Sequence, residues 1–567
     1  MTILETRGHQ MFPVLDAAQM GTAKRFASGP ERNFAPGEIV YDVGERGAPA
    51  WLVLKGSIAV VRRDGLNRET ALTDLVPGQF TGEVNQLAGA ATLALARAGP
   101  GGCSAMPFDA AHVHALMIGS AEVGEIMMRA FILRRVGLIE EGGVGAVLVG
   151  TPGAPELVRL EGFLGRNAYP YTVLDASKDT EGRAVVERFG VLPEELPIVV
   201  CPNGTLLKRP TDAEAGAFLG ITPSLDPKRV YDVGVVGAGP AGLAAAVYAG
   251  SEGLSVLVLD QQAFGGQAGA SARIENYLGF PTGISGMGLA GRAFNQALKF
   301  GVEIAIPVKV AGLDCSEPEQ ECGGQLRLEL TNRDIVRART VVIATGARYR
   351  RPDISNLATF EGRGISYWAS PVEAKLCEGE EVALVGGGNS AGQAVVFLAP
   401  KVKRLHLVVR GEGLEASMSR YLIDRIAALP NVELHTRTEV VALEGDEITG
   451  LTAAVFRDRA TGTTHTCPLR HLFLFIGADP NTGWLDHCVA LDKKGFVVTG
   501  ANSTGVAGGN QRPVPPFETS RPGVFAIGDV RSGSTKRVAA AVGEGAAVVT
   551  QIHDVLAAEG NEVLSSS

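Results

Sequence analysis

The chain has 567 residues, too many for a single hydrophobic core, so three or four domains are expected. Apolar residues make up 46% and charged residues 20%, which excludes a disordered chain. A formal charge of −9 with no long basic cluster argues against nucleic acid as a main partner.

The start, "MTILETRGHQMFPVLD", lacks the charged-then-apolar pattern of a secretory leader, and no apolar run reaches the ~18 residues of a membrane span. A soluble, cytoplasmic protein is therefore expected. The seven cysteines (Cys103, Cys201, Cys315, Cys322, Cys377, Cys467, Cys488) are scattered without any C-x-x-C spacing, which reads as reduced thiols. Glycine, at 73 residues, is nearly double the ~7% of average usage, as tight turns around phosphates would require.

Residues 1–142 begin with short β-type runs broken by Gly, Pro and Asp ("FAPGEIVYDVGERGAPAWLVLKGSIAVVRRDG") and close on a helical stretch, "AEVGEIMMRAFILRRVGLIEEG". Gly37, Gly56, Gly78, the run "PGQFTGEVNQLAG" and the closing "AFILRR" resemble the cyclic-nucleotide-binding domain family. That resemblance implies that Gly82 and Glu83 clasp a ribose. Thr92 stands where the family's phosphate-binding arginine falls, and a hydroxyl cannot make the bidentate charged contact. Cyclic nucleotide binding is expected to be weak or absent, with Arg97 the nearest replacement cation. His112 and His114 in "HVHAL" read as an exposed helix edge rather than a metal site, since no third ligand accompanies them.

Residues 143–225 alternate strand and helix patterns in the order β-α-β-α-β-β, with a last helix, and resemble a thioredoxin-like domain. Pro197 is its candidate cis-proline. The segment "GTPGAPE" occupies the place of the redox dithiol, so this module is expected to dock rather than to exchange disulfides.

The stretch "YDVGVVGAGPAGLAAAVYAGSEGLSVLVLD" is a strand, a glycine turn, a helix and a second strand ending in an acid. Gly237 makes the tight turn, Gly239 lets a pyrophosphate approach the backbone, and Gly242 lets helix and strand pack closely, with Pro240 and Ala241 opening the helix. Asp260 lies about 20 residues on, the separation expected for a carboxylate on the adenosine ribose. A second fingerprint, "EEVALVGGGNSAGQAVVFLAPKVKRLHLVVR", sets Gly386, Gly388 and Ala391 on the same template, with Asn389 and Ser390 at the helix start. Its second strand ends in Arg410, which suits a 2′-phosphate, so NADPH is expected over NADH. Two such sites in one chain imply hydride transfer from nicotinamide to flavin.

"GGQAGASARIENYLGFPTGISG", "VVIATGA", "FLFIGADPNTGWL" and "PGVFAIGDVRSGSTKRVAAAVGEG" resemble low-molecular-weight thioredoxin reductases. The resemblance implies a multidomain α/β and α+β chain with two Rossmann-like, three-layer domains: an FAD domain at 228–347 and 475–567, and an NAD(P)H domain inserted at 348–474. It further implies that Gly265, Gly266, Gln267 and Asn276 line the FAD and that Thr345 and Gly346 lie beside its phosphates. Gly528 and Asp529 would hold the ribityl chain, while Lys536, Arg537 and Val538 would meet the pyrimidine edge. Arg420 is a second candidate for the 2′-phosphate, and a homodimer is implied.

The family's C-x-x-C falls on Trp368 to Pro371, where no cysteine stands. Tyr367 and Trp368 are therefore candidates to cover the flavin. The expected function is an NADPH-dependent FAD oxidoreductase that passes electrons to an external acceptor (a quinone-like molecule, dioxygen, an iron–sulfur protein or an external disulfide). The alternative is a flavin- and nucleotide-binding sensor with little turnover.

Overall fold

The computed structural model describes residues 3–141, 145–314, 325–446, 449–503 and 514–565. The N-terminal part is a β-roll. A five-stranded antiparallel sheet is built around the long strands Ala50–Arg63 and Ala94–Phe108, and the helix Ala121–Glu141 closes it. Register shifts at Val53/Lys55 and Gly56/Ile58 mark the irregularities where these strands bend. The next unit is a four-stranded mixed sheet. Ala146–Gly150 pairs parallel with Tyr171–Asp175 and antiparallel with Ile198–Val200, and the Leu196–Pro197 bond is cis, as expected of Pro197.

Val230–Val236 is a central strand of a seven-stranded sheet, paired parallel with Val256–Leu259 and with Ile335–Ile343. The stretches 233–236, 256–259 and 341–343 are continuous apolar runs, as both sheet faces are covered there. Helices Pro240–Ser251, Gly286–Lys299 and Val538–Ser565 pack on one face. Leu485, Val489 and Val497 pack on the other. Close approach between helices Pro240–Ser251 and Val538–Ser565 depends on Gly545, where a Cβ would lie 2.5 Å from the Ala241 carbonyl oxygen.

A two-stranded junction, Ala347–Arg348 against Asp479–Pro480, leads into and out of a second doubly covered unit. Its five parallel strands run in the order Ile365–Ser366, His471–Leu474, Glu381–Val385, Arg404–Val408, Val432–His435. Helices Asn389–Leu398 and Arg420–Ala427 cover one face, and the antiparallel sheet Thr438–Asp446, Gly450–Asp458, Thr464–Pro468 covers the other.

The β-roll is joined to the seven-stranded unit through a shared core. Leu298, from the helix Gly286–Lys299, packs among Leu116, Met127 and Phe131 of the roll. Among the described residues, no helix is long and apolar enough to cross a membrane.

Candidate functional site

The first glycine turn is a consequence of close packing on three sides. Gly237 has φ +113°, and a Cβ there would lie 2.3 Å from the Ala344 carbonyl oxygen. At Gly242 a Cβ would lie 1.9 Å from the Gly237 oxygen, so strand and helix touch through bare backbone. Gly239 differs from both. It caps the helix Pro240–Ser251, no side chain satisfies the cap, and a Cβ would meet nothing within 4 Å. The orphan N–H groups and positive end of that helix therefore face open space, as an anionic pyrophosphate requires.

The surrounding loops are held rigidly. Asp260 Oδ2 accepts from Ala238 N–H (2.9 Å), and its Oδ1 accepts from Gln262 N–H (2.8 Å) and Ala263 N–H (3.2 Å). Burial nevertheless raises the pKa of this carboxyl. Gly265 N–H donates to the Ala238 oxygen (2.7 Å), which brings Gly266 against Gly239. Gln267 donates its side-chain amide to the Ala347 oxygen. The Thr345 hydroxyl donates to the Asn481 oxygen (2.8 Å), and Asn481 N–H donates to the Gly346 oxygen (3.1 Å).

Glu544 accepts from Gly528 N–H (2.6 Å) and pairs with Arg531 (2.5 Å), fixing the Gly528–Asp529 turn. Burial raises the pKa of the Asp529 carboxyl. Lys536 Nζ donates to the Asp529 carbonyl (2.5 Å) and stands over the Phe496 ring. Arg537 and Val538 open the last helix, where Ala541 N–H donates to the Arg537 oxygen. Asn276 is exposed, on the loop between Ile274 and Ile284.

The second turn repeats the cradle. Gly388 caps the helix Asn389–Leu398 with no side-chain bond and nothing within 4 Å of a built Cβ, while Gly386 (φ +150°) abuts Phe475 and Ala391. Asn389 Oδ1 accepts from Ser419 N–H (2.7 Å), and its Nδ2 is buried without a partner. Tyr349 packs edge-on against Phe475 beside this turn (5.1 Å), and burial raises its pKa. Arg410 is exposed at the end of its strand, with Arg459 donating to its carbonyl (3.3 Å) and Arg437 N–H donating to the next one, Gly411 (2.8 Å). Arg420 is 81% exposed and paired with Asp424. Both cradles fit a dinucleotide on the strength of their open cap glycines and, in the second, the orphaned Asn389 amide.

Tyr367 and Trp368, the candidates to cover the flavin, each have a polar partner of their own. Tyr367 donates its hydroxyl to Glu361 (2.6 Å), and Trp368 Nε1 donates to Glu373 (2.8 Å). Trp368 is 41% exposed, and its ring lies 5.5 Å from the Arg166 guanidinium of the four-stranded unit. Arg166 also bonds Gln262, two residues past Asp260, so Trp368 lies toward the adenosine end of the first cradle.

Cys377 is fully buried, and burial pushes its thiol up to about 11. The expectation of seven reduced thiols needs correcting, because Cys488 is disulfide-bonded. Cys315 and Cys322 lie outside the described residues.

In the β-roll, Thr92 is buried and its hydroxyl donates to the Asp42 carbonyl (2.5 Å). Arg97 is not a replacement cation for the pocket, since it is ion-paired to Glu69 on the strand beyond Ala50–Arg63. The roll encloses a small pocket lined by Tyr41, Gly82, Glu83, Thr92 and Arg134 among others, and its lining cation, Arg134, comes from the closing helix. Arg135 stands 3.6 Å from the buried Glu83, and Arg134 donates to the Gly82 oxygen (2.7 Å) and keeps one buried nitrogen without a partner. Burial raises the Glu83 pKa. The "AFILRR" run carries these arginines, but periodicity alone does not show that they turn inward. His112 bonds Asp109 at the start of its helix; contrary to the expected exposed edge, both histidines are half-buried and His114 Nε2 is buried.

The pyridine nucleotide-disulphide oxidoreductase family model matches residues 231–545, and the cyclic nucleotide-binding domain model matches residues 31–118. The chain belongs to the pyridine nucleotide-disulphide oxidoreductase family. Within it, the chain is 34% identical over 338 residues to an alkyl hydroperoxide reductase component of Pseudomonas putida, across 59% of each protein. It is 32% identical over 321 residues to the thioredoxin reductase of Ureaplasma parvum, across 56% of this chain and 94% of that one. The crystal structure of T. acidophilum thioredoxin reductase superposes with a TM-score of 0.51 at 29% identity, covering 58% of this chain and 99% of that one. The chain spans less than two thirds of the length of the hydroperoxide reductase relative. Flavoproteins of this architecture use FAD and NAD(P)H.

Proposed function

We propose that the chain is an NADPH-dependent FAD oxidoreductase whose flavin passes electrons directly to an acceptor from outside the chain. FAD, when bound, supplies the two-electron store between nicotinamide and acceptor. The cap at Gly239, with Pro240, Ala241 and Gly242 behind it, would hold the pyrophosphate. Asp260 would orient the adenosine ribose, and Gly265–Gln267, Asn276, Thr345 and Gly346 would line the cofactor. Gly528, Asp529 and Lys536–Val538 would hold the flavin end. Gly386, Gly388, Asn389, Ser390 and Ala391 would seat NADPH, with Arg410 on its 2′-phosphate.

The observation that carries this reading is the pair of open, uncapped helix N-termini in one chain. Between them, the segment from Glu361 to Pro371 contains no thiol. Exchange with thioredoxin needs a thiolate to form the mixed disulfide, and the thiol next along the chain, Cys377, is buried and held protonated. The test is anaerobic mixing with NADPH followed by a screen of quinones, dioxygen, iron–sulfur proteins and disulfides. Rapid bleaching with turnover on one of them is expected.

One observation favours a regulatory second reading. The β-roll core includes Leu298 and Phe294, and Phe294 stacks on Phe264 at 4.4 Å, immediately before Gly265. Occupancy of the roll pocket can therefore bear on the flavin loop through packed side chains. Slow bleaching without turnover on any acceptor would select this reading over the first.

A further inference from the structure

On the face of the second parallel sheet away from its helices, the register brings three ligand-type side chains together. His406 stands opposite Glu433 on the neighbouring edge strand, and His435 follows Glu433 on the same face. His406 Nδ1 lies 3.0 Å from His435 Nε2, and the Glu433 carboxylate lies 3.7 Å from the first ring and 3.6 Å from the second. These donor atoms all fall within 4.8 Å of one another. A tetrahedral zinc with bonds of about 2.0–2.2 Å sets its ligand atoms about 3.3–3.6 Å apart, so the two rings need part by about 0.3–0.6 Å to admit it.

A second, independent observation is the far side of His406. The residue is only 5% exposed, and its Nε2 is buried without a hydrogen-bond partner, facing Glu381 Oε2 at 3.9 Å. A carboxylate behind a ligating imidazole fixes its tautomer and raises its basicity. The Phe456 ring forms an apolar wall against both histidines, while Glu433 is half-exposed and leaves one side open to solvent. Lys403 pairs with Glu381 Oε1 and leaves Oε2 to His406, while Arg404 stands 3.7 Å from Glu433 Oε2 and leaves Oε1, on the His435 side, without a cation among the described residues.

We propose that His406, His435 and Glu433 bind a zinc ion, with water in the fourth position and Glu381 as the positioning residue behind His406. Two imidazoles and a carboxylate suit zinc and exclude magnesium, which prefers oxygen alone. The ion clips the edge strand Val432–His435 to Arg404–Val408, the strand that leads to Arg410.

The flavin-loaded chain, stripped with a chelator and titrated with zinc chloride in a calorimeter, should take up one zinc at this site, undisturbed by excess magnesium. His435→Ala and Glu433→Gln alter partly exposed side chains, and each should remove that equivalent while flavin absorbance stays unchanged. Glu381→Gln should weaken binding about 10–100-fold at the same stoichiometry. Cobalt in place of zinc should give visible ligand-field bands that His435→Ala abolishes. Failure of the unmodified protein to take up zinc, or undiminished uptake by both ligand variants, overturns the assignment.

Discussion

Replacing Gly237 and Gly239 in turn separates what the fold needs from what the cofactor needs. At Gly237 a side chain must adopt φ +113° and push against the Ala344 backbone from 2.3 Å. Strain of about 1–3 kcal/mol is expected from the backbone alone, before the clash is relieved. At Gly239 the backbone is extended (φ −74°, ψ −177°) and a Cβ meets nothing. Losing glycine at a helix cap costs somewhat under ~1 kcal/mol, and the reduced freedom of the unfolded chain returns about 0.4–1 kcal/mol. The net effect on the apoprotein is close to zero. Gly237→Ala should therefore lower the melting temperature of flavin-free protein, and Gly239→Val should leave it within a degree or two while abolishing flavin retention. Apo forms must be compared, because bound FAD stabilises by mass action. A Gly239→Val protein with full flavin absorbance, or one melting as low as Gly237→Ala, would refute the reasoning.

Arg410→Ala should cost NADPH binding about 1.5–3 kcal/mol, as for one charged hydrogen bond, and leave NADH untouched; equal losses for both nucleotides in flavin-reduction kinetics would contradict it. Calorimetry should show weak or no binding of cyclic AMP or cyclic GMP, and Thr92→Arg should raise the affinity by supplying the missing cation. Burial raises the Glu83 pKa, so its contribution to stability is complete below the unfolded carboxyl value and is lost as pH rises through the folded one. Glu83→Gln should flatten the fall of the β-roll melting temperature above pH ~4.5, measured by scanning calorimetry, and an unchanged slope would show that Glu83 is not the group responsible.

Both glycine turns are legible in the sequence because they are local: three glycines, two apolar strands and a helix lie within some thirty residues, and their contacts follow from that spacing. The cis bond at Pro197 is legible only through the resemblance of residues 143–225 to a thioredoxin-like domain. What sequence reading misses comes from register and long-range packing. His406 and Glu433 stand far apart in the chain and meet only because one parallel strand pairs with the next. The histidines that are close in sequence, His112 and His114, bring no third ligand. Arg134 and Arg135 register in the sequence only as a fold signal, since helical periodicity fixes which residues share a face but not which pocket that face covers. The Arg166–Trp368 contact joins two units that no local pattern connects. The bond at Cys488 likewise has no signature in cysteine spacing.

The most direct test of the central claim is an anaerobic titration of the flavoprotein with NADPH. With no dithiol coupled to the flavin, one two-electron equivalent per bound FAD should complete the reduction, and Cys488→Ser should consume the same amount. Uptake of a second equivalent before NADPH accumulates, lost in Cys488→Ser, would show that a disulfide of the chain does receive the flavin's electrons.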